Sequence, residues 1–137
     1  MGLFDIFKKK TEPDLFTYNE HDKEFTASLD GVEFTARIPV TPDMTAYAKQ
    51  LAAAYRDRLP AIADYILKDE AFDHSSGIFP GISKDTLMSS LNMPTIQLLS
   101  DHDGACTYYD HALDDTHILT FEFSALFDNF CYLSVDG

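Results

Sequence analysis

Residues 24–38, EFTASLDGVEFTARI, decide the architecture of this chain. Phe25, Ala27 and Leu29 alternate with polar residues, as do Val32, Phe34, Ala36 and Ile38, and a period of two is the mark of a half-buried strand. Between the runs stands Asp30-Gly31, a favoured two-residue type I′ turn, because both of its central positions need positive φ. Pairing across that turn sets Leu29 against Val32, Ala27 against Phe34 and Phe25 against Ala36, which keeps the apolar residues on one face without a register slip. Glu24 then lies opposite Arg37, a pair worth a few tenths of a kcal/mol at most if exposed.

The period changes directly after the hairpin. Thr41-Pro42-Asp43 is a helix start, with Thr41 as N-cap, Pro42 at the first helical position and Asp43 complementing the dipole. Met44, Tyr47, Leu51, Tyr55, Leu59, Ile62 and Ile66 then recur at three- and four-residue steps, beside the small residues Ala48, Ala52 and Ala63, so one helical face is apolar. The stripe keeps its phase across Pro60, and the expectation is one kinked helix or two abutting ones over about 42–71. His74, Ser75, Ser76, Gly77, Pro80 and Gly81 read as a loop, and Ser83 caps a short helix through Leu91. Beyond Asn92 and Pro94 the chain is strand-like over 95–100, 105–110, 117–123 and 130–135, with Asp103-Gly104 and Asp128-Asn129 as turn signals. The expected fold is α+β: an antiparallel sheet of N-terminal hairpin plus C-terminal four-strand meander, packed against a long kinked helix and a short helix.

A chain of 137 residues has the length of one domain and buries a useful core without disulfides or metals. Residues 13–137 read as that α+β domain, and residues 1–12 as a basic amphipathic leader. In the leader Leu3, Phe4, Ile6 and Phe7 precede Lys8, Lys9 and Lys10, which is the composition of a membrane-surface anchor or of one helical turn docked on its own domain. Ile6 occupies the position where a myristoylation signal needs Ser or Thr. No apolar run approaches the roughly 20 residues of a membrane span and no signal peptide is visible, so the expected compartment is the cytoplasm. Cys106 and Cys131 accordingly read as thiols.

The net charge is −13, which argues against direct nucleic-acid binding, since phosphate contacts demand Lys and Arg. Lys84 is the last basic residue, and residues 85–137 alone carry −9. Asp101, Asp103, Asp110, Asp114, Asp115 and Asp128 in that segment are the candidate field for a basic protein partner, with Tyr108 and Tyr109 as aromatic anchors. The same stretch supplies His102, His111 and His117, and imidazole with carboxylate is a metal-ligand palette. The spacing matches neither His-Glu-x-x-His nor a calcium loop. No nucleophile elbow or Gly-rich phosphate loop frames Cys106, Cys131, Ser75 or Ser76, and no cofactor is indicated. The reading is a non-enzymatic acidic protein-binding module. A peripheral membrane or assembly protein recruited through residues 2–10, and a metal-dependent enzyme using the His/Asp cluster of residues 101–117, are its alternatives.

Tyr108-Tyr109-Asp110, Leu113-Asp114-Asp115-Thr116-His117-Ile118-Leu119, Phe121 and Phe123 together resemble the closing segment of a bacterial family, domain of unknown function two thousand and four. Over about residues 24–135 the order of elements is similar as well: hairpin, helical middle, closing sheet. Some families of this kind are encoded beside polymorphic toxins and regarded as their immunity proteins, and the resemblance implies that role here. The ending Val135-Asp136-Gly137 and the basic leader depart from the family pattern.

Overall fold

The computed structural model describes residues 15–137. Seven strands form one sheet in sequence order: β1 (Thr17–Asn19), β2 (Glu24–Leu29), β3 (Val32–Ala36), β4 (Thr95–Leu98), β5 (Asp103–Tyr108), β6 (Ile118–Ser124) and β7 (Asn129–Asp136). Between β3 and β4 come the long helix α1 (Pro42–Leu67), a 3₁₀ turn at Glu70–Phe72 and the short helix α2 (Lys84–Ser90).

The hairpin forms with the expected register, Leu29 opposite Val32, Ala27 opposite Phe34 and Phe25 opposite Ala36. Asp30 and Gly31 take φ of 51° and 85°, the left-handed pair that a type I′ turn requires. Arg37 approaches Glu24 only at 3.8 Å. Strand β1, three exposed residues paired with β2, extends the hairpin; it has no buried face and so no alternation to announce it.

The expectation of a wholly antiparallel sheet is overturned. Glu33 pairs with Thr95, Phe34 with Ile96 and Thr35 with Gln97 in parallel, which makes the sheet mixed. The chain leaves β3, crosses the sheet through both helices and re-enters beside β3 running the same way, as a crossover connection does. Strand alternation has the same period in either direction, so the pattern of apolar residues could not distinguish them.

Helix α1 starts as expected, the Thr41 hydroxyl accepting the Met44 N–H at 3.1 Å. It runs unbroken through Pro60 to Leu67, and the 3₁₀ turn, not a further helical segment, accounts for residues 70–72. Its buried stripe packs with one face of the sheet: Phe34, Ile96, Cys106, Leu119 and Phe121 are as fully excluded from solvent as Leu51, Ile62 and Ile66. The opposite strand positions, including Thr26, Thr35, Thr107, Thr120 and Glu122, are half-buried and form the uncovered face.

Three tyrosine hydroxyls on α1 tie the layers together at polar points. Tyr47 donates to the Ala125 carbonyl at 2.6 Å, Tyr55 meets the Tyr108 hydroxyl at 2.6 Å in the interior, and Tyr65 accepts the Leu133 N–H at 3.1 Å. Among the described residues no helix is long and apolar enough to cross a membrane.

Candidate functional site

The acids singled out by sequence separate into two groups at opposite ends of β5 and β6. Asp101 lies in the β4–β5 turn, Asp103 opens β5 directly after it, inside the strand where the sequence signalled a turn, and Asp128 lies in the β6–β7 turn; the Ala125 N–H donates to the His102 carbonyl at 2.8 Å, which fastens these turns to one another. Asp110, Asp114 and Asp115 belong to the β5–β6 connection. At about 3.3 Å per strand residue, Asp103 and Asp110 are roughly 20 Å apart. That exceeds the Debye length of about 8 Å at physiological salt, so the two ends act as separate fields and not as one anionic surface.

Much of the charge at the first end is already engaged. Arg58 reaches from α1 to Asp128 at 3.2 Å. The Ser100 hydroxyl bonds the Asp103 carboxylate, and the Leu99 N–H donates to the Asp103 carbonyl at 3.1 Å, so Asp103 closes its own turn. Asp101 sits 2.9 Å from the His102 ring; that hydrogen bond holds the imidazole pKa above its ordinary value, and protonation of His102 cancels the Asp101 charge.

At the second end the engaged carboxylate is Asp114. It accepts the N–H groups of His117 at 2.9 Å and Thr116 at 3.1 Å, and also contacts the His117 ring. The His117 N–H bond leads the causes that hold its pKa at about 2, because hydrogen bonds to the charged form favour ionisation. Asp110 and Asp115 are exposed. Tyr109 is 58% exposed beside them and Ile118, at 38%, continues the patch. Asp136, opposite Ile118 on β7, adds a further carboxylate.

Two expectations about individual residues change. Tyr108 is not a surface anchor: it is fully excluded from solvent, and its phenol and the neighbouring Cys106 thiol are both pushed up by burial. A one-residue step along β5 separates it from the exposed Tyr109, and strand alternation dictates that only one of two neighbours faces the core. The three histidines do not converge either. His102 is at the first end, His111 and His117 at the second, and among the described residues no three His, Cys, Asp or Glu side chains are placed to share a metal. Both ring nitrogens of His111 are occupied by backbone. Nδ1 accepts the Leu113 N–H at 3.1 Å, so the proton is on Nε2, which donates to the His117 carbonyl. Buried and neutral, His111 holds the β5–β6 connection in shape.

Sequence reading missed the clefts beside β7. One of about 470 Å³ lies between that strand and the segment following α1; its lining combines residues more than fifty positions apart, and no local pattern brings them together. Leu3, Phe4, Ile6, Phe7 and Lys8 to Lys10, the candidate membrane segment, lie outside the described residues. The thiols of Cys106 and Cys131 are free, on strands separated by β6. No protein-family model matches the chain, and no curated protein or solved structure was found to match it.

Proposed function

We propose that this chain is a cytoplasmic, non-enzymatic binding module that captures a protein partner through a basic surface, using the β5–β6 end of its sheet. The observation that carries the reading is that Tyr109 and Ile118 expose aromatic and aliphatic area at the same end of the sheet as the exposed Asp110 and Asp115; β5, β6 and their connection contain no Lys or Arg, and Arg37, which lines the cleft beside Tyr109, faces Glu24 at 3.8 Å. Charges at the rim steer encounter and reject like-charged partners, and a buried aromatic anchor supplies most of the affinity. The resemblance to domain of unknown function two thousand and four gives the partner a candidate form, a cationic toxin domain, with this chain as its immunity protein.

The test is kinetic. Proteins retained by the immobilised chain at low salt and released at high salt are identified, and association of the retained partner is followed over a range of ionic strength. Asp110→Asn with Asp115→Asn lowers the association rate and flattens its salt dependence, whereas Tyr109→Ala acts mainly on dissociation. Association rates unaltered by the paired Asn substitutions would remove the proposal.

A further inference from the structure

Strand β7 is an edge of the sheet, eight residues long, with no Lys, Arg or Pro. An edge of that kind presents unpaired N–H and C=O groups unless something covers it. The direction of its backbone groups follows from one contact: the Leu133 N–H points away from β6, because it donates to the Tyr65 hydroxyl. Ser134 pairs with Thr120 and Asp136 with Ile118. Alternation along an antiparallel strand therefore turns the N–H and C=O of Val135 outward as well, together with the Leu133 carbonyl.

Directly beside that outward row lies the 470 Å³ cleft, lined by Asp69, Glu70, Ser76, Ile78, Leu133 and Val135. Ile78 is 51% exposed, and Tyr132, which takes φ of 58° at the irregularity in β6–β7 pairing, is 78% exposed. The floor of the cleft is rigidly built. The Phe79 N–H donates to the Ala71 carbonyl at 2.8 Å, and Gly77 packs so closely there that a Cβ would come within 2.5 Å of the Ala71 oxygen.

We propose that β7 is a docking edge for an extended basic segment of a protein partner, which adds as an eighth strand and drops alternate Lys or Arg side chains into the cleft beside Asp69 and Glu70. Main-chain hydrogen bonds at Val135 and Leu133 give the addition its register, and the cleft selects alternate side chains. Charge decides between occupants. Asp69 and Glu70 flank the edge and Asp136 ends it, with Lys68 the basic residue nearby. A second copy paired along the same strand would bring these acids against their counterparts in a chain of charge −13, and like-charge juxtaposition suppresses that pairing. The proposal rests on the reading of the chain as an acidic binding module and adds the backbone edge through which it binds.

The experiment uses the full chain with an alternating Val-Lys octapeptide and a Val-Glu octapeptide of equal length, followed by calorimetry and amide hydrogen exchange. The Val-Lys peptide binds saturably and slows exchange of the Val135 amide about tenfold or more, and the Val-Glu peptide does neither. Glu70→Lys, a change at the exposed first residue of the 3₁₀ turn, abolishes that binding, and Val135→Pro, which deletes the edge donor, does the same. Equal binding of both peptides, an unaltered Val135 exchange rate at saturation, or peptide-free dimerisation that protects Val135 would each overturn the proposal. Glu70→Lys is independent of Asp110→Asn with Asp115→Asn. Loss of peptide binding in the first variant alone, with association of the retained partner unaffected by the second, removes the steering patch and leaves the edge; the reverse outcome removes the edge and leaves the patch.

Discussion

Tyr55 and Tyr108 illustrate how much one buried contact between hydroxyls can matter. Their oxygens lie 2.6 Å apart in the interior, so Tyr108→Phe leaves the Tyr55 hydroxyl without its partner at a cost of about 1–3 kcal/mol. Replacing both by Phe costs less than the sum of the single changes, and a double-mutant cycle by urea unfolding measures the difference. Asp114 gives a pH prediction. Its folded pKa of about 2 lies below the ordinary 3.8, so its stabilising contribution is complete above the unfolded value and is lost as pH falls from 3.8 towards 2. Asp73, lowered first by the Ser75 hydroxyl, acts in the same direction. Urea unfolding of wild type should weaken through that window, and Asp114→Asn should show a shallower acid dependence with lower stability at neutral pH. In sequence Asp114 and Asp115 look alike; the turn that points one inward at two backbone N–H groups distinguishes them.

At the scale of elements, local signals were the most legible. The Thr41 and Ser83 caps follow from residues within four positions of each other and the hairpin register from a two-residue turn with the alternation on either side of it, and the structure reproduces each. Thr41→Ala should cost about 1 kcal/mol, seen as a lower urea midpoint at unchanged slope, and Thr41→Ser should restore most of it. Pro60 was legible as a residue that removes a helical hydrogen bond, but not in its outcome. The stripe of α1 keeps its phase on both sides of it, with Tyr55, Ile62 and Ile66 buried on one face, and burial of that face holds the helix continuous. The 3₁₀ turn at Glu70–Phe72 owes its form to Asp69, whose carboxylate accepts the Ala71 N–H at 3.0 Å. Apolar periodicity says nothing of that.

For the molecule as a whole, charge is the property in which sequence and structure differ most. The absence of Lys and Arg after residue 84 is plain in the chain, yet the distance between its carboxylates is not. Six strand residues separate the β4–β5 turn from the β5–β6 connection, which divides one run of acids into two fields beyond mutual screening. Arg58 then answers Asp128 from a helix seventy residues away. At the pH where His102 is protonated the Asp101–His102 pair has no net charge, so replacing both, Asp101→Asn with His102→Gln, should leave association with a basic partner nearly unaltered, in contrast to Asp110→Asn with Asp115→Asn, when rates are compared at low salt. What the sequence determined by itself was the α+β composition, the hairpin with its register, the helix start and the acidic bias, because each is set by neighbours in the chain or by a simple count. Strand direction at the β3–β4 seam, the interior place of Tyr108, the engagement of Asp114 and Asp128 and the cleft along β7 were decided only in three dimensions. Each depends on which distant backbone arrives beside it, and an alternation of apolar and polar residues is blind to that.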